Sequence, residues 1–303
     1  MESVEFTKLT ACGNDFICID NLSGQFDSIL SDSKLSSAFA RGICDRHKGV
    51  GADGVIFACK DGYTGGLAEI SSAHFESDGS FCELCGNGSA CFTRWVVAKG
   101  ILPDRQINIL TPAGIIQGQC IDRDYVRVCI SPPENHRPNL NIECESADQK
   151  KTFVCDYIVT GIPHVVTIVD NVSAVNVRRW GYQLRHHPAF KPRGVNANFV
   201  QILSPGRIAM RTFEFGVEDE TLACGTGASA CAIVTALKND WPPEIYDGTA
   251  PVIVRTRGGE ILRVYITRDE SGAIVDCCLE SRARVLYTGV LNDVFLLSTL
   301  ESR

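Results

Sequence analysis

Cys224-Gly225-Thr226-Gly227-Ala228-Ser229-Ala230-Cys231 is the stretch whose reading decides the fold. A cysteine and a Gly-x-Gly turn open a run, Ala228 to Leu237, that is apolar nearly all the way round; only Ser229 and Thr235 are mildly polar. A helix apolar on every side has to be buried on every side. A sheet curled around a central helix does this. The same device stands earlier in the chain. Cys85-Gly86-Asn87-Gly88 leads into Ser89-Ala90-Cys91 and a second apolar run with Phe92, Trp95, Val96, Val97 and Ala98.

The flanks of the two turns also match. Phe75-Glu76 precedes Cys85 at about the distance at which Phe213-Glu214 precedes Cys224. Downstream, Val126-Arg127-Val128-Cys129-Ile130 parallels Leu262-Arg263-Val264-Tyr265-Ile266. Two similar units, each about half of the chain, point to duplication. Short strand-like runs dominate elsewhere, such as Phe16 to Ile19, Val55 to Phe57, Val165 to Val169 and Val252 to Val254, bounded by Gly, Pro, Asn and Asp. Helical stretches are expected near 34–46, 87–99, 173–185 and 226–239. The expected class is α+β, with two pseudo-symmetric, β-rich, barrel-like domains, each wrapped on a central helix. The N-terminal domain, 1–132, carries Cys85 and is completed by 279–303. The C-terminal domain, 133–278, carries Cys224. Ser131-Pro132-Pro133 is read as the hinge.

Bulk composition narrows the function. The 303 residues are 45% hydrophobic and 21% charged, enough to bury a real core. A net charge of −7 argues against a nucleic-acid partner. No run of roughly 18 apolar residues occurs, so no membrane span is expected. The stretch from Met1 to Asp20 does not read as a signal peptide, and cytoplasm is the expected compartment. The expected partner is a small molecule. The sequence does not fix the oligomeric state; a homodimer is carried as an expectation. Fifteen cysteines in so long a chain, several in apolar runs (Cys18, Cys129, Cys231, Cys277, Cys278), read mostly as inert core thiols.

Cys85 and Cys224 are the exceptions. Each stands directly before a helix N-terminus, where the helix dipole favours a thiolate and the pKa is expected below the usual value of about 8.5. The amides of Gly86-Asn87 and Gly225-Thr226 form an anion site suited to a carboxylate. Two such turns facing each other would hold a carboxylate between two helix ends, with one thiol on each side of the neighbouring carbon. A thiolate then acts as base and the opposite thiol as acid, inverting an α-carbon. Charge developing on the carboxylate is met by backbone donors. Such chemistry calls for no metal and no organic cofactor. One Cys-Gly-x-Gly turn could merely start a helix; a duplicated pair with matched flanks points to function.

At these residues the chain resembles the diaminopimelate epimerase family, over nearly its whole length. The resemblance runs through Phe6-Thr7-Lys8 with Gly13-Asn14-Asp15-Phe16, Cys44-Asp45-Arg46-His47 with Gly49 to Gly54, and Asp78-Gly79-Ser80 with the first turn. It continues through Gly161 with Pro163-His164, Val195-Asn196 with Phe199, and Glu214 with Glu220 to Gly227. It implies two domains that close over substrate, and proton transfer by Cys85 and Cys224 with His164 and Glu214 assisting. It also implies substrate binding by Asn14 and Asn196.

Three positions that grip the distal end of the substrate in that family are changed here, to Glu76, Ile162 and Phe215. The glycine–leucine pair before Gly13 is replaced by Ala11-Cys12. Loss of an arginine fork removes the partner of a second carboxylate, and a glutamate repels it. A basic side chain would suit Glu76, and Phe215 offers an aromatic face worth roughly 0.5–2 kcal/mol to a cation. Histidine, or another basic amino acid, is therefore the expected substrate, and a histidine racemase the expected member. Diaminopimelate itself is the alternative. If Glu76 instead pairs with a protein cation in an apolar pocket, an aromatic or aliphatic amino acid follows.

Other signals carry less. Gly49-x-Gly51-x-x-Gly54 follows charged residues instead of a buried strand, so it is not read as a dinucleotide fingerprint. Cys82-x-x-Cys85 lacks a second pair at zinc spacing, and Cys82 is placed on the loop before the first turn. A thiol redox or zinc-binding protein using Cys82, Cys85 and Cys224 is the alternative from another class. A catalytically dead relative is disfavoured by the presence of both cysteines, His164 and Glu214.

Overall fold

The computed structural model describes residues 3–60, 65–130, 132–146 and 149–292. The end of the expected completing segment, 293–303, and Ser131 of the expected hinge lie outside the described residues. The chain divides into two compact units. One runs to Val128 and resumes at Ser281; the other is Cys129–Glu280.

The first unit opens with the hairpin β1 (Val4–Ala11) and β2 (Asn14–Asp20), in which Ala11 faces Asn14. Its two-residue turn, Cys12-Gly13, has φ of 52° and 88°, the left-handed geometry that lets strand twist continue through a tight hairpin. Two helices, α1 (Asp27–Leu30) and α2 (Ser33–Cys44), then cross back to β3 (Gly54–Cys59), parallel to β2. The Asp32 side chain caps α2 by accepting from the Lys34 and Leu35 amides. Phe39, Ala40 and Ile43 of α2 pack on Phe57 and Phe75 in the core. Strand β4 (Ile70–Glu76) runs antiparallel to β3 and to the short β5 (Phe81–Cys82). Helix α3 (Gly86–Ala98) follows, then β6 (Ile107–Thr111) parallel to β4, β7 (Gly114–Cys120) antiparallel to β6, and β8 (Tyr125–Ile130), whose last two residues belong to the second unit.

The second unit repeats the pattern. A long hairpin joins β9 (Glu134–Ser146) and β10 (Gln149–Thr160). Strand β11 (Ile162–Ile168) is antiparallel to β10. Helix α4 (Val177–Arg185) crosses to β12 (Asn196–Ser204), parallel to β11. Strands β13 (Arg207–Glu214) and β14 (Asp219–Thr221) follow antiparallel. Helix α5 (Gly225–Leu237) leads to β15 (Val252–Arg255), parallel to β13, and then to the antiparallel β16 (Ile261–Arg268) and β17 (Ile274–Leu291). The later half of β17 pairs with β1 in the first unit's sheet.

In each unit the sheet wraps a central helix. Residues Gly225 to Ala236 of α5 are all buried, and the helix touches β10 to β13, β15 and β16. Helix α3 touches β1, β2, β3 and β7. The all-round apolar composition of α5 is met by burial on all sides, while α3 leaves Val97 half-buried and Ala98 exposed at its end.

Three expectations need correction. The duplication is real, but Val126 to Ile130 lies on β8, whereas the strand matching β16 by order and pairing is β7; similar letters on successive strands gave the wrong register. The helix expected at 173–185 begins only at Val177, because the Asn176 side chain caps it by accepting from the Arg179 amide. Cys129 on β8 and Cys278 on β17 are joined by a disulfide and are not inert thiols. Most of the other cysteines do behave as small core residues. Burial alone drives the Cys18 and Cys231 thiols upward, and chiefly burial takes Cys44 and Cys155 to about 12.

Candidate active site

Each Cys-Gly turn folds into the same geometry. Cys85 is the N-cap of α3 with φ −128° and ψ 117°; Cys224 is the N-cap of α5 with φ −131° and ψ 115°. The Gly88 amide donates to Cys85 Sγ at 3.4 Å, and the Gly227 amide donates to Cys224 Sγ at 3.4 Å. A cap is usually an oxygen side chain. Here sulfur takes that place, so backbone dipoles aim at both thiols. Cys224 is buried and Cys85 half-buried. Gly86, Asn87, Gly225 and Thr226 form the buried first turns, whose leading amides have no acceptor within the helix.

In the second unit a chain of polar side chains ends at Cys224. His164 on β11 and Asn196 on β12 are opposite in register, so Asn198 shares their face two residues on. The Asn198 Nδ2 amide donates to the Val165 carbonyl at 3.0 Å and to His164 Nδ1 at 3.1 Å. That leaves the proton of His164 on Nε2, which donates to Thr226 Oγ1 at 3.1 Å. Thr226 Oγ1 lies 3.6 Å from Cys224 Sγ. The Thr212 hydroxyl donates to Asn198 Oδ1 at 2.8 Å and fixes the far end. His164 is fully buried, and burial lowers its pKa to about 3. It is therefore neutral, and it reaches the thiol through Thr226 as a hydrogen-bond donor.

Ile162, Asn196 and Phe215 come together around a depression lined also by Pro163, Val195 and Arg193. The Phe215 amide donates to Asn196 Oδ1 at 2.6 Å, while Asn196 Nδ2 is buried with no protein partner among the described residues. Glu214 ends β13, opposite Asp219, and its carbonyl accepts from the Glu218 amide at 2.9 Å. Phe215 corrects an expectation: the Arg185 guanidinium lies 4.1 Å from its ring centroid, so the protein supplies its own cation to that ring.

In the first unit Asn14 and Asn87 meet directly. Asn87 Nδ2 donates to Asn14 Oδ1 at 2.7 Å, and Asn14 Nδ2 donates to Asp53 Oδ2 at 3.1 Å. Behind them lies an ion network. Asp15 pairs with Lys8 and Arg46 at 2.8 Å each, and Arg46 also pairs with Asp53 at 2.8 Å. Burial alone would raise the Asp15 pKa, but Arg46 and Lys8 outweigh it and bring the carboxyl down to about 2. Glu76 ends β4, half-buried, opposite Gly54. The sequence reading does not single out Asp53, Arg46, Asn198 or Arg193, which the structure places beside the candidate residues. The first two stand inside the motif blocks quoted above, and Arg193 just precedes Val195-Asn196, but Asn198 has no local signal.

The redox reading of Cys82-x-x-Cys85 is not supported. Burial first, then Cys85 and Glu76, push the Cys82 thiol strongly upward, away from a reactive thiolate. Among the described residues two groups could hold a metal: His74, Glu76 and Cys82, and Cys129, Asp276 and Cys278. The disulfide takes both cysteines of the second.

The sequence model of one family, diaminopimelate epimerase, matches residues 6–134 and 157–276. The chain is similar to a diaminopimelate epimerase of Aquifex aeolicus, 38% identical over 275 residues, covering 88% of this chain and 91% of that one. It is 31% identical to one of Chlorobaculum tepidum, covering 93% and 99%. Among solved structures, it resembles a hydroxyproline epimerase of Agrobacterium vitis with bound trans-4-hydroxy-L-proline. The TM-score is 0.68 at 16% identity, covering 97% of this chain and 94% of that one. A PhzF-family phenazine biosynthesis protein of Bacillus anthracis gives 0.67 at 14%, covering 96% and 99%. At such identities the likeness concerns the fold alone.

Proposed function

The chain belongs to the diaminopimelate epimerase family and is an isomerase of the epimerase and racemase kind; from that premise we propose that it inverts an α-carbon of diaminopimelate with Cys85 and Cys224 as the acid–base pair. The matched capping of α3 and α5 by cysteine carries this reading. One thiolate takes the α-proton, the C–H electron pair passes toward the carboxylate, and the other thiol returns a proton to the opposite face. The thiol that gave its proton is left as thiolate, so the enzyme ends each turnover with its two protonation states exchanged. The helix-end amides hold the carboxylate as its charge grows. Asn14, Asn87 and Asn196 are assigned to substrate binding, and Glu214 to assisting the proton transfer.

The expected histidine or basic substrate finds no support among the relatives, which carry the name diaminopimelate epimerase. Arg193 lines the depression with Ile162, Asn196 and Phe215, and we assign it to recognition of the distal carboxylate in place of an arginine at position 215. Nor does Glu76 bar this substrate, because its distal centre carries an ammonium as well as a carboxylate. In a panel of diaminopimelate, histidine, lysine and arginine, diaminopimelate is expected to exchange its α-hydrogen with D₂O fastest. Faster turnover of histidine overturns the assignment. Arg193→Ala is expected to lower kcat/KM for diaminopimelate roughly 10- to 100-fold, the loss of one charge-assisted hydrogen bond. An unchanged kcat/KM removes Arg193 from recognition.

A further inference from the structure

Strands β4 and β5 bring three ligand-type side chains to one place. His74 and Cys82 are directly opposite in the antiparallel pair, and Glu76 follows His74 by two residues on the same face. One ligand atom from each lies within 4.8 Å of the other two. His74 is 6% exposed, yet its Nε2 has no hydrogen-bond partner among the described residues; Glu76 Oε1 stands 3.8 Å from it. Buried polar atoms are almost always satisfied, so this one needs an explanation.

The imidazole is also held in a built slot. Phe16 meets it edge-on at 5.5 Å between ring centres. A Cβ at Gly54 would fall 2.7 Å from its Nε2, and one at Gly88 3.0 Å from its Cε1. The ring therefore fits only because both neighbours are glycine, and its direction is fixed before any ligand arrives. A fixed nitrogen beside a thiol and a carboxylate is the donor set of a zinc-type site.

We propose that His74 Nε2, Cys82 Sγ and a Glu76 carboxylate oxygen bind a thiophilic divalent cation such as Zn²⁺. A tetrahedral site with zinc-type bond lengths needs ligand atoms roughly 3.3–3.6 Å apart, so small side-chain rotations of Glu76 and Cys82 close the present spacing. Three protein ligands leave a fourth position for water. Mg²⁺ and Ca²⁺, which take mostly oxygen ligands, do not suit it. Binding releases the Cys82 thiol proton to buffer. The site's thiol is Cys82 and not Cys85, so it takes no part in proton transfer, but it shares Glu76 with the distal end of the proposed substrate site.

The test uses the full chain with its Cys129–Cys278 disulfide intact, stripped of metal and handled under argon without reductant, titrated with Co²⁺ and then Zn²⁺. One equivalent of Co²⁺ should bind with a thiolate-to-cobalt charge-transfer band, which one equivalent of Zn²⁺ removes. Cys82→Ser should lose the band and the stoichiometric binding, and Glu76→Gln should weaken binding. Cys85→Ser, which places an ordinary capping residue on α3, should keep the band. Absence of stoichiometric binding by the parent chain overturns the proposal. So does a band that survives Cys82→Ser or disappears with Cys85→Ser. Because the readout is metal binding, its failure leaves the epimerase reading untouched, and failure of α-hydrogen exchange leaves this site untouched.

Discussion

His164 and Phe16 hold matching places, third on β11 and third on β2, the strands that follow the matching β10–β11 and β1–β2 turns. Asn198 faces Thr212 in register just as Ile56 faces His74. The duplicated frame thus carries a polar chain to Cys224 and an apolar wall beside Cys85's helix. Thr226→Val removes the last donor of that chain. It should raise the pH at which Cys224 becomes alkylated and slow epimerisation roughly 10- to 100-fold, since hydrogen bonds to charged groups contribute about 1.5–3 kcal/mol. Alkylation of Cys85 against pH should not move. His164 also makes a prediction for stability. Its pKa is lower folded than unfolded, so below the unfolded value of about 6.5 the unfolded chain takes up a proton that the folded chain refuses. The stability this group provides is full above about pH 6.5 and falls as pH drops from there toward about 3. Urea midpoints of the parent should fall over that window, less so for His164→Gln. Equal slopes would show that His164 titrates normally.

At the scale of elements, the first turn of α5 leaves no room for a methyl group. A Cβ on Gly227 would sit 2.5 Å from Asn198 Oδ1 and 3.2 Å from Cys224 Sγ. Alanine normally stabilises a helix interior by roughly 0.5–1 kcal/mol over glycine. Here Gly227→Ala should instead destabilise in denaturant melts and depress activity, because it displaces the amide that holds His164. Stabilisation with full activity would contradict the close approach. The capped helices could be read from the sequence because they depend on local letters: a cysteine, two glycines and an apolar run. The Asn198–His164–Thr226 chain could not. It is created by the register of parallel strands β11 and β12, which are far apart in sequence and carry no motif. Strand order failed for a related reason, since Val126 to Ile130 matches the alternation of β16 although β7 holds the equivalent place.

At the scale of the molecule, the units repeat one order of strand pairings around one buried helix each, and the duplicated turns predicted that much. The Cys129–Cys278 disulfide, Asp53 behind Asn14, and Arg193 beside Phe215 were invisible, because each depends on a contact that only folding supplies. The expected basic substrate loses one of its arguments for the same reason: Phe215 suggests a face open to a basic ligand, and Arg185 already lies over it. Among the described residues no helix is long and apolar enough to cross a membrane. The two-thiol account is tested most directly by following label during epimerisation of one diaminopimelate epimer in D₂O. With Cys85 and Cys224 acting from opposite faces, deuterium should appear at the inverted α-carbon of the product from the earliest turnovers, while remaining substrate stays unlabelled. Deuterium entering residual substrate as fast as product, or product that keeps the substrate's own hydrogen, would mean a single base and would contradict it.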